Sequence, residues 1–282
     1  VPIRRFPPAK KRLGQHFLHD PRVLDRIAHA ACLAHGDVVV EIGAGTGELT
    51  RRLAERVGVS GRVLAVELDT DLLPPLTSLA DRLGNVTVVA ADILKVDIRS
   101  LLDEQRVVPP IVIVGNLPYY ITTPVIERLL AATACWSSAT LMVQDEVARR
   151  LTTPPGESGC GSISVLIHAT AEATYCFRVG EGAFSPPPKV RSAVIRLTPW
   201  RISPVVVDDS EWLSRVSRAA FGQRRKTLLN ALSTLPFDRD ALLAVLDSTG
   251  IDPKRRGETL SLDEFARIAN AFAVKSRAKD ET

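Results

Sequence analysis

Along the first part of the chain, short apolar runs alternate with amphipathic stretches. Asp37–Ile42, Arg62–Leu68, Val86–Ala91, Ile111–Gly115 and Ala139–Val143 are dominated by β-branched and aliphatic residues and predict strands. Between them, Glu48–Val57, Asp71–Leu83 and Pro124–Ala132 carry helical spacing of apolar positions. Asp20 before Pro21 predicts a helix start, Asp capping and Pro at the first helical position, with the helix running through Val23, Ile27 and Ala31. Strands that lack polar alternation are covered on both faces. The pattern therefore predicts a doubly wound, mostly parallel α/β sheet, with ligands at the carboxyl ends of its strands. Ser162–Phe177 and Ser192–Leu197 have β-type composition and are expected to be later strands.

After Pro204 the pattern changes. Ser210–Gly222, Arg225–Leu235, Arg239–Thr249 and Leu262–Phe272 read as helices. Gly250 suits a helix stop, and Ser261 with Glu264 forms a capping box. The expected organisation is an α/β catalytic domain over 1–203, whose first 20 residues are a basic lead segment, and a small all-α domain over 204–274. Lys275–Thr282 is expected to be a disordered tail.

Composition narrows the class. The 282 residues, 45% hydrophobic and 24% charged, suffice for one large and one small domain of a soluble protein. No apolar run approaches the roughly 18–20 residues that span a bilayer. The basic stretch Val1–Arg12 leads into no signal-peptide core, so the expected location is cytoplasmic. Cys32, Cys135, Cys160 and Cys176 form no C-x-x-C pair and have no histidine at ligand spacing, so buried free thiols are expected. The net charge of +4 is concentrated at Arg4–Arg12, Arg224–Lys226 and Lys254–Arg256. One such run alone is an ordinary solvated face. Three such runs in one chain shift the balance toward a polyanionic partner.

The candidate chemistry begins at Glu41-Ile42-Gly43-Ala44-Gly45-Thr46-Gly47, between a strand and a helix. The glycines permit a sharp turn and close approach to a ligand. The spacing is G-x-G-x-G, and Glu48 stands where a dinucleotide fingerprint has its third glycine. An acidic residue two positions before the first glycine suits a cationic ligand, and S-adenosylmethionine carries a sulfonium and an ammonium. The motif alone is also compatible with a nicotinamide enzyme. Glu67, ending the second strand, can accept from both ribose hydroxyls in either class of ligand. Asp92, ending the third, can accept from an adenine amino group while Ile93 packs on the ring.

Asn116-Leu117-Pro118-Tyr119 decides between these readings. An adenine amine is a poor nucleophile because its lone pair is delocalised into the ring. Two acceptors holding its two N–H groups turn that lone pair toward a methyl carbon. The Asn116 side-chain oxygen and the Leu117 carbonyl, stiffened by Pro118, supply them. The Tyr119 face favours the positive charge that develops on the amine. Such a displacement needs geometry, with no metal. In the loop Ala183–Ser192, prolines can hold Phe184 outward to sandwich an extruded base opposite Tyr119. A Phe buried beneath that loop is the equal alternative.

With these residues in view, the chain resembles the KsgA-type ribosomal RNA adenine dimethyltransferases, a group allied to the erythromycin-resistance methyltransferases. The resemblance starts at Lys11-Arg12-Leu13-Gly14-Gln15-His16-Phe17-Leu18. It continues through the glycine loop, Glu67, Asp92, Asn116–Tyr119, Gln144-Asp145-Glu146-Val147-Ala148 and the Phe184–Ser192 loop. Phe221–Asn230, with Arg256–Leu260 and Phe265–Asn270, is similar to the small-subunit branch.

The resemblance implies a Rossmann-like methyltransferase fold. It implies donor contacts at Gln15, His16, Leu18, Gly43, Gly45, Glu67, Leu68, Asp92, Ile93 and Asn116, and base handling by Asn116, Leu117, Pro118, Tyr119 and Phe184. RNA contacts are expected at Lys189, Arg224, Arg225 and Lys226; cations at phosphates position RNA without reading it. The implied substrate is a pair of adjacent adenines in the 3′-terminal hairpin loop of 16S ribosomal RNA, in the small subunit or its precursor. Each adenine would receive two methyls, with S-adenosylhomocysteine as by-product. A monomer without membrane association is expected.

The sequence departs from the family pattern at His16, where Asn is frequent, at Tyr120, where Asn is common, and at Cys160, where Tyr often stands. The rival readings are a large-subunit resistance enzyme, a DNA adenine methyltransferase, a non-catalytic assembly factor and a nicotinamide oxidoreductase.

Overall fold

The computed structural model describes residues 8–280. Arg4 and Arg5 of the first basic run, and the last two residues of the expected tail, lie outside the described residues. In chain order the first elements are β1 (Phe17–Leu18), α1 (Pro21–Ala30), β2 (Val38–Ile42), α2 (Glu48–Val57), β3 (Arg62–Glu67), α3 (Leu73–Leu83) and β4 (Val86–Ala90). Then come α4 (Ile98–Glu104), β5 (Ile111–Asn116), α5 (Thr122–Ala131), β6 (Trp136–Gln144), α6 (Asp145–Thr152), α7 (Ser162–Thr170), β7 (Ala171–Val179), β8 (Phe184–Ser185) and β9 (Ser192–Pro199). The last four are α8 (Ser210–Gly222), α9 (Leu228–Leu232), α10 (Arg239–Ser248) and α11 (Leu262–Asp280).

Seven strands form one sheet in the order β4-β3-β2-β5-β6-β9-β7. The pairings from β4 to β6 are parallel and β9 runs antiparallel to β6. This is the expected mostly parallel α/β sheet. The strand order reverses at β2 and β5, and at such a point the connecting loops diverge and leave a crevice for a ligand. The core on one face joins Leu24 and Ile27 of α1 and Leu53 of α2 to Val39, Val63, Val112 and Val114 of the strands. Each such side chain contributes about 1.5–3 kcal/mol when fully buried. The predicted cap is present: the Asp20 carboxylate accepts the Arg22 amide at 2.9 Å, ahead of Pro21.

The chain separates into two compact units, each discontinuous in sequence, where a single boundary at 203/204 was expected. One comprises the residues up to Ala148 with Thr174–Pro199, and the other Arg149–Ala173 with the residues from Trp200 onward. The second unit is built on aromatic packing. Trp212, Phe237 and Phe272 form one group, with centroids 5.0–5.7 Å apart, and Phe221 stacks on Phe265 at 5.9 Å. Its last helix has the predicted capping box: Ser261 Oγ accepts the Glu264 amide and Glu264 accepts the Ser261 amide.

Four local expectations are corrected. Ser162–Phe177 is not one strand but α7 followed by β7. Its β-branched composition is that of a helix buried among α8 and α11, so tertiary packing overrides propensity. Gly161 donates its amide to Ser164 Oγ to start that helix, and Ser164 donates to the Arg150 carbonyl. The helix expected over Arg225–Leu235 is only Leu228–Leu232, because Gln223–Lys226 forms a turn closed by the Lys226 amide on the Gln223 carbonyl. The tail from Lys275 is helical to Asp280, where α11 continues its hydrogen-bonded ladder. Of the cysteines, Cys135 and Cys160 are buried, but Cys176 is half-buried and Cys32 exposed just beyond α1, with Arg196 Nη1 2.8 Å from its sulfur.

The second unit includes one close backbone approach. A Cβ on Gly257 would lie 2.6 Å from Ala220 Cβ and 2.7 Å from the Ala220 carbonyl of α8. Gly257→Ala is therefore expected to cost about 1–3 kcal/mol, read as a lower urea midpoint. Gly182→Ala, whose Cβ would meet open space, is the control.

Candidate active site

The turn from β2 to α2 puts Gly43, Gly45 and Gly47 at positive φ, 74°, 58° and 78°. Only glycine enters this region at no steric cost, and at Gly47 a Cβ would also lie 2.4 Å from Leu79. The Gly43 and Ala44 amides donate to the Val66 carbonyl at 2.9 and 3.1 Å, pinning the turn to the end of β3. One residue on, Glu67 is buried and held by both oxygens. Gly45 N–H donates to Oε2 at 2.8 Å and Asp69 N–H to Oε1 at 2.7 Å. Each oxygen keeps a further acceptor direction for a diol. Beyond β4, Asp92 Oδ1 accepts the Leu94 amide at 3.0 Å, an Asx turn that fixes the carboxylate.

Glu41 in β2 is 1% exposed, and its Oε2 has no hydrogen-bond partner among the described residues. Burial, reinforced by the nearby Glu67 charge, pushes its pKa up to about 8. It is thus a neutral acid at physiological pH until a cation approaches.

On the other side, Gly115 lets β5 run close to β2: a Cβ there would sit 3.0 Å from the Ile42 carbonyl. The next residue, Asn116, donates Nδ2 to the His16 carbonyl at 3.3 Å. Its Oδ1 accepts nothing among the described residues. Leu117 is buried and donates its amide to the Met142 carbonyl at 3.1 Å, and its own carbonyl likewise has no donor among the described residues. The half-buried Tyr119 shares a 2.8 Å hydrogen bond with Ser192 Oγ and stacks on the His16 ring, centroids 6.0 Å apart. Burial holds the phenol above its ordinary pKa, against the opposing Ser192 bond, so the ring stays neutral.

His16 Nδ1–H donates to the Pro186 carbonyl at 2.8 Å. Beside it, β1 pairs antiparallel with β8, Phe17 opposite Ser185 and Leu18 opposite Phe184. Phe184 is 4% exposed and packs in the cluster of Leu18, Leu24 and Met142. The proline loop therefore does not hold it outward, because strand pairing with β1 turns it into the core, where it reaches the cavity from within.

These groups enclose one cavity of about 230 Å³. Gln15, His16, Leu18, Gly43, Gly45, Glu67, Leu68, Asp92, Ile93, Asn116, Leu117, Pro118, Tyr119 and Phe184, expected from separate stretches of sequence, all line it, as does Glu41. The Gln15 side chain is already engaged: Oε1 accepts the Lys10 amide and Nε2 donates to Asp69. Lys189, Arg224, Arg225 and Lys226 are outside the cavity and exposed.

The sequence profile of the family described as ribosomal RNA adenine dimethylase matches residues 8–274. The chain belongs to this family. A ribosomal RNA small subunit methyltransferase A of Pelotomaculum thermopropionicum is 46% identical, the match covering 93% of this chain and 91% of that one. One of Moorella thermoacetica is 44% identical over 93% and 92%. Among solved structures, a dimethyladenosine transferase of Plasmodium falciparum has 25% identity and a TM-score of 0.72, covering 93% of this chain and 98% of that one. The 23S rRNA methyltransferase ErmE has 27% identity and a TM-score of 0.67, covering 91% and 99%.

In this adenine dimethylase, the sequence did not mark Lys10, Asp69, Ser192 or the Pro186 carbonyl as site groups. Asp69, two residues beyond Glu67 on the same turn, was the one with a readable signal. The others are brought in by strand pairing and chain crossing.

Glu41 yields a pH prediction. Its folded pKa of about 8 exceeds the ordinary 4.5, so the fold binds the proton more tightly than the unfolded chain does. That stability is fully present below about 4.5 and is lost as pH rises toward 8. Glu41→Gln, neutral throughout, is expected to raise the melting temperature of the donor-free protein at pH 8 by about 5 °C or more, with little gain at pH 4.5. An equal change at both pH values would show that Glu41 is not held neutral.

Proposed function

We propose that this protein transfers methyl groups from S-adenosylmethionine to the exocyclic amines of two adjacent adenines in the 3′-terminal hairpin loop of 16S ribosomal RNA. It would act as a monomer on the small subunit or its precursor. The observation that carries this reading is the pair of unfilled acceptors, Asn116 Oδ1 and the Leu117 carbonyl, on the cavity wall beside Tyr119. Two fixed acceptors match the two hydrogens of a primary aromatic amine. Family membership and the names of the close relatives support the RNA substrate and the small-subunit branch.

The cavity suits the donor on its own chemistry. Glu67 would hold the ribose diol, and Asp92 with Ile93 the adenine. The orphaned carboxyl of Glu41 would ionise against the positive end. When bound, the donor supplies a methyl on a sulfonium, an electrophile that needs no metal. The protein's contribution is placement. Asn116 and Leu117 draw the amine N–H bonds into fixed directions, which turns the nitrogen lone pair out of conjugation and toward the methyl carbon. Tyr119, held by Ser192 and His16, offers its face to the charge growing on that nitrogen. A second transfer to the same amine keeps one N–H and so one of the two acceptors.

RNA is proposed to be held by cations. Lys189, Arg224, Arg225 and Lys226 are exposed and make no ion pair among the described residues. The Arg224 guanidinium lies 5.8 Å from the Phe221 ring centroid. Free cations on a short turn suit phosphates, with affinity that falls steeply with salt.

The direct test offers radiolabelled S-adenosylmethionine with small subunits lacking the adenine methyls, methylated small subunits, or large subunits. Dimethyladenosine in the unmethylated small subunit alone is expected. Label in the large subunit would place the protein in the resistance branch, and no label anywhere would leave an assembly role. In the same assay Tyr119→Phe is expected to keep activity within about tenfold, because the face remains, while Tyr119→Ala loses about a hundredfold or more. Equal losses would assign the role to the hydroxyl instead.

A further inference from the structure

The segment from Lys10 to Leu18 forms one wall of the cavity and is tied down at both ends. At its start, Lys10 Nζ pairs with Asp69 Oδ1, and with Asp71 Oδ2 at 2.7 Å. Gln15 closes the same loop, accepting the Lys10 amide at 2.8 Å and donating to Asp69 Oδ2 at 2.7 Å. Asp69 Oδ1 also accepts the Asp71 amide at 3.1 Å. The Asp69 side chain is 3% exposed. Burial pushes its pKa up, but the Lys10 and Gln15 bonds override this and hold the carboxyl below its ordinary range.

Between these ties, Gly14 turns the chain at φ 56°, with the Tyr120 ring 3.3 Å from where a Cβ would stand. At the other end, the His16 carbonyl accepts Asn116 Nδ2 and the His16 ring stacks on Tyr119. Asp69 therefore occupies a junction. Its amide is one of the two donors that fix Glu67, and its carboxylate anchors the segment that contacts Asn116.

We propose that Lys10 and Asp69 are positioning residues that latch the Lys10–Leu18 segment over the methyl-donor cavity and set the rate at which the donor leaves. The proposal rests on the donor-site reading above. Gly14 to Leu18 all line the cavity, so a donor seated on Glu67 can be enclosed only while they stay in place. Neither Lys10 nor Asp69 is needed to touch the donor. Asp69 is buried and already occupied, and Lys10 remains 26% exposed at the rim. Breaking the pair leaves a buried carboxylate short of its cation, which favours opening of the segment. Because the pair reaches solvent on the Lys10 side, salt weakens it, and donor release should quicken as ionic strength rises.

The test compares wild type, Lys10→Met, Lys10→Arg and Asp69→Asn. Release of bound S-adenosylmethionine is followed by stopped-flow chase with excess S-adenosylhomocysteine, affinity by calorimetry, and amide exchange of residues 14–18 in the donor-free protein. Lys10→Met and Asp69→Asn are expected to release donor about five- to tenfold faster and to raise its KM in proportion. Their kcat at saturating donor should fall less than KM rises, and residues 14–18 should exchange faster. Lys10→Arg should restore slow release relative to Lys10→Met. Unchanged release and exchange in both variants would overturn the latch, as would a loss confined to kcat. Failure of the wild type to bind S-adenosylhomocysteine would instead overturn the donor-site reading beneath it.

Discussion

The site depends on the hydrogen-bonded register that sets β2 between β3 and β5. Ile42 stands opposite Val66 on one side and Gly115 on the other. That pairing delivers the glycine turn, Glu67 and Asn116 to the same edge of the sheet. A slip of one residue would invert every side chain along a strand, sending Glu41 and Glu67 away from the cavity. The register is protected by burial on both faces, where Val39, Val63 and Val114 are fully buried. It is favoured locally by Gly115, since a Cβ there would crowd the Ile42 carbonyl at 3.0 Å. A buried, geometrically specified sheet edge is a rigid base for a reaction whose main demand is alignment.

Charge is arranged on top of that geometry. The chain is net positive, yet the cavity wall carries Glu41, Glu67 and Asp92. Two of these are stabilised in different ways. Glu67 is kept in place by two backbone donors, whereas Glu41 has burial without a partner for Oε2 and is therefore neutral. An acidic pocket in a basic protein separates two tasks. The cavity is suited to a small cation, and the exposed arginines and lysines to a polyanion. Asn116 lines the cavity, donating with its nitrogen to the His16 carbonyl and leaving its oxygen without a donor among the described residues.

Much of this was legible in the sequence because the strongest signals were local. Apolar strand runs, the glycine turn, the acidic strand ends and Asn116–Tyr119 each follow from a few adjacent residues, and the sheet brings them together as read. What escaped depended on distant partners. Ser162–Thr170 has strand composition but packs as a helix, because its neighbours bury it on most sides. For Phe184 the stiffness of its loop leaves outward and buried positions equally open, and pairing with a two-residue strand 166 positions earlier turns it inward. Lys10 and Ser192 acquire their roles only through chain crossings that no periodicity records. Arg225–Leu235 looked helical throughout, but its basic start is an exposed turn, which presents the cations more freely than a helix face would.

The central claim is that Asn116 acts chiefly by aligning the amine, its tie to the His16 carbonyl making only a smaller contribution to holding the donor. The measurement that meets it most directly is made on Asn116→Ala: the single-turnover rate of methyl transfer to unmethylated small subunits, alongside the calorimetric affinity for S-adenosylhomocysteine. The account predicts a rate lower by about a hundred- to a thousandfold, with affinity within about tenfold of wild type, the range set by loss of the tie to the His16 carbonyl. A rate within tenfold of wild type, or a collapse of affinity that accounts for the lost rate, would contradict it.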